Sequence, residues 1–539
     1  MLQRLTTGRA SRRRVAGAFL GQTGLIFAGL AGCRAAAQAT PISATPAAPV
    51  QGVPLDEAVA GLAPPAVWEH FLQLTQIPRP SHHEEQVSTF LADFGRGLGL
   101  ETAADVAGNV LIRKSASPGK ADRPGVILQA HMDMVPAKTS DSDHDFGTDP
   151  IEAFVEDGWV RADRTTLGAD DGIGVALIMA LLEDDTIVHG PLEALFTVDE
   201  EDGFDGVNAL QPGVLQGSFL INVDSEEEGV FTIGCAGGVD VDASADYEEE
   251  ATPSGMTGIQ LAITGLQGGH SGVDINRGRG NAIKLLARLL WNAQEAVTLR
   301  VTSITGGERN NAIPRDAVAV VAVPEGDATA LIALVETVAA TILAELATAE
   351  PQLAITAMPA NLPGRVMSAD AQHRIIEALY GSPNGVMRMS DAVPGLVETS
   401  TNLGTVSATS GRLAAGFRVR SAVDSARDDV AQMITSVWAL ADVETTTYDA
   451  YPGWRPDPDS PLLGLMQMVY QGLYGREAKI MAVHAGLETS VIGATYPALD
   501  MISIGPTIQD VHSPHEQLEI SSVSKVYDLL VATLERIAA

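Results

Sequence analysis

Leu192-Glu193-Ala194-Leu195-Phe196-Thr197-Val198-Asp199-Glu200-Glu201 is the stretch on which the fold turns. Its first seven residues are largely apolar and do not alternate, as a strand covered on both faces requires. They end abruptly in three acids. The same form recurs at 125–130, followed by His131-Met132-Asp133, and at 219–223, followed by Asp224. Further strands are expected at 109–113 and at 501–504, the latter ahead of a loop through His512. Helices are expected at 171–184 and 521–537. Short buried strands alternating with helices predict an α/β fold, a mostly parallel sheet with helices on both faces. In open sheets of this class, sites form outside the C-terminal ends of the strands. The histidines and acids fall at those ends.

Outward from this core, the 539-residue chain exceeds what one hydrophobic core usually serves. Between 240 and 450 the texture changes to Gly-rich turns and longer alternating segments. That block reads as an α+β lid domain inserted into a catalytic domain made of 63–239 and 451–539. Order is expected to begin near Pro64, with a helical pattern through Trp68, Phe71, Leu72 and Leu74. Ser81 with Glu84 reads as a capping box for a helix running to about Leu98.

The N-terminus reads as a signal rather than as fold. Arg4, Arg9, Arg12, Arg13 and Arg14 form a positive start, and an apolar run follows from Val15 to Gly32. Leu30-Ala31-Gly32-Cys33 has the form of a lipoprotein processing site, with Cys33 as the lipidated residue. Residues 34–62, rich in Ala, Pro and Thr, read as a flexible tether. The expected location is therefore exported: periplasmic or anchored to the outer membrane through the lipid, with a soluble periplasmic form as the alternative.

Acidic residues outnumber basic ones 68 to 34, giving a formal charge of -34. Phosphate contacts need Lys and Arg, so nucleic-acid binding is excluded as a function class. With two cysteines in the chain, Cys-based zinc sites are ruled out, and any metal must be held by histidines and carboxylates.

Asp170 lies in Thr165-Thr166-Leu167-Gly168-Ala169-Asp170-Asp171-Gly172, a tight turn at a helix start. Its apolar approach buries the carboxylate, which calls for a cation. Taken singly, such residues are usually an N-cap, a solvated acidic face or a structural histidine. Together, acidic clusters at three strand ends, without Lys or Arg nearby, need a multivalent cation to offset their repulsion.

The ordered segments His131-Met132-Asp133, Thr166–Asp170, Glu200-Glu201, Asn222–Glu226 and His512-Ser513-Pro514 resemble the motifs of the dinuclear zinc exopeptidases of the aminoacylase and glutamate-carboxypeptidase superfamily. Within it, the chain is most similar to the aminoacyl-histidine (cytosol non-specific) dipeptidases. Gly268–Gly272, Asn311–Arg315, Pro383–Val386, Tyr451–Trp454, His484–Glu488 and Ser503–Thr507 carry that finer likeness, which runs from about Pro64 to the C-terminus. It implies hydrolysis of unblocked dipeptides, Xaa-His among them, by two Zn2+ per chain, with Co2+ or Mn2+ as substitutes. It places His131 and Asp224 on one metal, Glu201 and His512 on the other, and Asp170 between them. It makes Glu200 the general base and acid and has Asp133 orient His131. His270 would stabilise the oxyanion, Asn311 and Arg420 would bind the substrate carboxylate, and Gly486 would contact substrate through its backbone. A cis Asp170–Asp171 bond and a homodimer through the lid are further implications.

Two positions depart from the family pattern. Asp199 stands where relatives often have Thr, and its charge is expected to raise the pKa of Glu200. His515 stands where relatives have Asp and is an alternative ligand. Deacylation of N-acyl amino acids uses the same metals and remains a second reading. A non-catalytic peptide-binding lipoprotein is a third, against which Glu200 stands, because a binder needs no base.

Overall fold

The computed structural model describes residues 52–537. The signal segment expected over 1–33, with Cys33, and the tether from 34 to 51 lie outside the described residues. The remainder of that tether is a correction. Val53–Pro54 is a strand whose Val53 pairs with Val155, Leu55–Ala58 is a helical turn, and Leu55 is 1% exposed within the core. Pairing across a hundred residues cannot be read from local composition.

Among the described residues, an eight-stranded sheet is built from strands between 101 and 235 and between 479 and 503. Its order is Glu101–Ala104, Val110–Lys114, Leu192–Thr197, Val126–His131, Phe219–Asn222, Asp500–Ser503, Val230–Cys235 and Lys479–Val483. The four strands from Leu192–Thr197 to Asp500–Ser503 are mutually parallel, so their C-terminal ends share one edge. Val110–Lys114 is antiparallel to its neighbours, as is the contact of Val230–Cys235 with Asp500–Ser503. Both faces of the sheet are covered, which explains the unalternating strands. Val126, Leu128, Phe196 and Ile221 pack into a large core with helices Pro65–Thr75, Ala169–Glu183, Pro461–Tyr474 and Ile520–Arg536. Ile127, Leu195 and Leu220 turn the other way, onto Val207, Val491 and Ile492 of helices Asp205–Ala209 and Glu488–Thr495. Helix Ala169–Glu183 is buried from Ala169 to Leu182, an apolar cylinder with no solvent face.

A nine-stranded sheet, antiparallel throughout, forms a second core with helices Ala282–Ala296, Ala328–Leu346, Ala369–Gly381 and Asp424–Leu440. The chain enters it through Gly237–Asp246 and leaves through Glu444–Tyr451. Outgoing and returning segments are stitched together where Cys235 and Trp454 exchange backbone hydrogen bonds at 3.0 Å.

The capping box expected at Ser81 does not form. Helix Glu85–Gly97 starts without a side-chain cap. Ser81 Oγ donates instead to Asp133 Oδ2 at 2.8 Å, and Glu84 Oε1 accepts from the backbone N–H groups of His82 and Asp199. Both residues are drawn into the site, where buried acceptors and donors outcompete a cap.

Candidate metal centre and substrate pocket

His131 ends its strand, and Asp224 follows the neighbouring one by two residues. Residues i and i+2 of a strand share a face, so Asp133 comes back beneath His131, with Oδ1 3.3 Å from Nδ1. Asp133 is 0% exposed and also accepts the backbone N–H groups of Glu200 (3.1 Å) and Glu201 (3.3 Å). Burial alone would raise its carboxyl. The hydrogen bonds and charge of His131, with Ser81 and the Glu200 amide, hold it down at about 2. It stays an anion beside the ring.

Asp170 sits at the N-terminal turn of the buried helix. Its two oxygens face different imidazoles. Oδ1 is 3.2 Å from His131 Nε2, and Oδ2 is 3.1 Å from His512 Nε2. Asp224 Oδ1 is 3.3 Å from His131 Nε2, and Glu201 Oε2 is 3.0 Å from His512 Nε2. Two ligand-type groups result, His131–Asp170–Asp224 and Asp170–Glu201–His512, each with its atoms within 4.8 Å of one another. They share Asp170. Burial pushes the Asp224 carboxyl up to about 7 against the pull of His131. Hydrogen bonds donated to Asp170 and Glu201 push His512 up to about 11. His512 has φ +59, a left-handed conformation that L residues seldom take and that clusters at functional sites. The Asp170–Asp171 peptide bond is cis.

Glu200 lies beside both groups, within 4.8 Å of ligand atoms of His131 and Glu201. Burial, and then the charge of Asp224, raises its carboxyl well above the usual range. Glu201 and Glu488 add to this, while His131 opposes it. The contribution expected from Asp199 is not among these principal causes. Asp199 is paired with His82 at 3.1 Å instead. His515 is exposed, and its backbone N–H is turned to Ser513 Oγ, so it joins neither group.

Two buried charges that the sequence reading missed hold the Asp170 turn. Glu516 accepts four consecutive backbone N–H groups, from Leu167 to Asp170, at 2.7–3.2 Å. Arg79, 2% exposed, donates to the carbonyls of Met132 (3.0 Å), Asp133 (2.9 Å) and Gly168. Gly168 has φ +68, and a Cβ there would stand 2.6 Å from Arg79 Nη2. The available signal was positional. Glu516 lies four residues past His512, and Arg79 stands between two prolines.

His270 and Asn311 lie at a separate two-stranded pairing, and Arg420, on the nine-stranded sheet, reaches His270. His270 begins a short pairing with Ala312, and Ser271 donates its N–H to Asn311 O at 2.8 Å. Arg420, 5% exposed, places Nη2 3.2 Å from His270 Nε2 and donates from Nη1 to Tyr451 Oη at 3.1 Å. Among the described residues, no carboxylate lies within ion-pair distance of this guanidinium. Arg418, two residues away, is paired with Asp240. Burial, reinforced by Arg420, lowers His270 to about 4, so it is neutral. Tyr451 stacks edge-on against Phe204, which follows the Glu201 loop, with centroids 5.9 Å apart. A Cβ on Gly486 would come within 3.1 Å of Tyr451 and 3.3 Å of Phe204. Tyr451 thus stands between Arg420 and Phe204, and its motif was noted in the sequence without a role.

Histidines and carboxylates converging around one shared aspartate, at the C-terminal edge of an α/β sheet, have the chemistry of a metal-dependent hydrolase. The comparisons narrow this class. The model for "Peptidase family M20/M25/M40" matches residues 127–536. The cytosol non-specific dipeptidase of Escherichia coli (strain K12) is 43% identical over 478 residues, which are 89% of this chain and 99% of that protein. The crystal structure of aminoacylhistidine dipeptidase from Vibrio alginolyticus superposes with a TM-score of 0.85 at 42% identity, covering 89% of this chain and 98% of that one. A tripeptidase from Staphylococcus aureus has a TM-score of 0.52 at 16% identity over 88% and 99%, a likeness of fold. The chain belongs to peptidase family M20/M25/M40. It is a hydrolase acting on peptide bonds, of a metallopeptidase family that implies a divalent metal.

The same comparison corrects the expected location. The Escherichia coli relative is a cytosol enzyme, which points to the cytoplasm and away from an exported, periplasmic or outer-membrane lipoprotein. An arginine-rich start before an apolar run matches a signal by composition alone, and the lipidation assigned to Cys33 falls with it.

Proposed function

We propose that this protein is a dinuclear zinc dipeptidase that hydrolyses unblocked dipeptides, Xaa-His among them, with broad specificity. The observation that carries the reading is the divided carboxylate of Asp170, with one oxygen toward His131 and the other toward His512. His131 and Asp224 would hold one zinc, Glu201 and His512 the second, with Asp170 bridging. Nitrogen and carboxylate donors suit zinc, and Co2+ or Mn2+ would substitute. Glu201 Oε1, buried without a hydrogen-bond partner, fits a ligand atom in need of a cation. Zinc bound there would supply Lewis acidity toward the scissile carbonyl and lower the pKa of the attacking water.

The remaining steps belong to side chains. Glu200 takes a proton from the water and passes it to the leaving amine, a task suited to a carboxyl with a raised proton affinity. Asp133 keeps His131 oriented. His270 would stabilise the developing oxyanion. Arg420 and Asn311 bind the free C-terminal carboxylate, and Gly486 lines the substrate path with its backbone. The Escherichia coli and Vibrio relatives, dipeptidases by name, support the same substrate class.

A substrate panel tests this reading. Purified protein loaded with zinc is expected to cleave free dipeptides such as Ala-His and to leave N-acetyl amino acids intact. Turnover of acetyl-amino acids without turnover of dipeptides would replace the dipeptidase with a deacylase.

A further inference from the structure

Beneath the strand ends runs a buried polar row that the chemistry above does not use. Gln129, Asn222 and Ser503 stand in register on three neighbouring strands. Asn222 Nδ2 donates to Gln129 Oε1 at 2.7 Å, and Ser503 Oγ donates to Asn222 Oδ1. Gln129 Nε2 donates to Glu488 Oε2 at 2.6 Å, and Thr197 Oγ1 donates to the same oxygen at 2.7 Å. Gln129, Thr197, Asn222, Ser503 and Glu488 are all 0% exposed. Polar groups this deep in an apolar sheet are costly unless each is satisfied. Glu488 is the acceptor on which the row ends.

The row sits directly under the metal-binding edge. Gln129 and Asn222 precede His131 and Asp224 by two residues and share their faces of the sheet. Asn222 Oδ1 also accepts the Asp224 backbone N–H at 3.3 Å. Thr197 is the register partner of His131 and leads into the Glu200–Glu201 turn. Glu488 itself comes from the far end of the chain, at the start of helix Glu488–Thr495. Its Oε1 is buried with no partner, so the residue is held through Oε2 alone.

We propose that Glu488 is a positioning residue for the dinuclear centre, closing the Thr197–Gln129–Asn222 row and so fixing the spacing of His131 and Asp224. The proposal rests on the metal reading given above. Glu488 touches neither substrate nor reacting atoms. Without it, Gln129 and Thr197 would lose their carboxylate acceptor and keep only the longer contacts of Gln129 Nε2 to Thr197 Oγ1 (3.2 Å) and of Thr197 Oγ1 to the Ala130 carbonyl (3.4 Å), loosening the row. Metal sites respond to such losses in affinity, commonly by about 10–100-fold.

The test is zinc affinity, measured by competition with a chromophoric chelator for purified wild type, Glu488→Leu and Glu488→Gln. Circular dichroism and Tm in excess zinc report folding. Glu488→Leu is expected to bind zinc about 10–100-fold more weakly. Glu488→Gln keeps an oxygen that accepts both donors and is expected to stay within about threefold of wild type. If Glu488→Leu does not fold, Thr197→Val removes one donor at constant shape and is expected to weaken zinc about three- to tenfold. Wild-type zinc affinity in the folded loss variant, or equal loss in Glu488→Gln and Glu488→Leu, overturns the proposal. If the wild type binds two zincs while the variant is unchanged, this inference alone fails. If the wild type binds no zinc, the metal reading fails first and takes the inference with it.

Discussion

Glu200→Gln is expected to lose about a hundred- to ten-thousand-fold in kcat while keeping the metal content of the wild type. The size follows from its role, since general acid–base transfer by one positioned group contributes about that factor. The retention of metal separates two assignments that proximity leaves open. Glu200 lies within 4.8 Å of ligand atoms of His131 and Glu201, as a ligand would. Yet Glu201 is 3.0 Å from His512, whereas the charges that raise Glu200 come from Asp224, Glu201 and Glu488 around it. A base removed costs turnover, and a ligand removed costs metal as well. Glu201→Gln is therefore expected to lose both. Elemental analysis of the purified variants reads the difference. An empty site in Glu200→Gln beside a loaded Glu201→Gln would reverse the two roles.

Arg420→Met comes next in size. A buried guanidinium without a carboxylate partner is poised to receive an anion, and a dipeptide supplies one at its C-terminus. Losing a buried charged pair costs about 2–5 kcal/mol, or roughly thirty- to several-thousand-fold in kcat/KM. The loss should be selective. Wild type is expected to discriminate strongly between Ala-His and its amide, and Arg420→Met to narrow that gap. Methionine preserves the stem's packing against Tyr451 and His270, which keeps the comparison about charge. Equal wild-type rates on the free acid and the amide would remove Arg420 as the anchor.

The catalytic sheet was legible in the sequence because burial on both faces imposes continuous apolar runs. Val126–His131, Leu192–Thr197 and Phe219–Asn222 fall within one residue of where those runs placed them. The acids at the strand ends were legible for a related reason: unpaired carboxylates beside apolar strands stand out. Their convergence on Asp170 was not, since loop 505–516 returns from the end of the chain and its likeness to a family supplied the link. Arg79 and Glu516 were missed because a charged residue in a loop reads as solvent-facing, and neither is more than 2% exposed. Ser81 and Glu84 matched a capping pattern that the competing Asp133 and Asp199 groups overrode. The N-terminal reading failed on location, where composition proved a weaker guide than the cytosol relative.

The dinuclear claim meets its most direct test in the zinc content of dialysed wild-type protein, with Ala-His hydrolysis followed in the same preparation before and after chelation. Two equivalents of zinc per chain, activity lost to the chelator and activity restored by added zinc are the expected results. Full hydrolysis by protein shown to be free of metal would contradict a centre built on His131, Asp170, Glu201, Asp224 and His512.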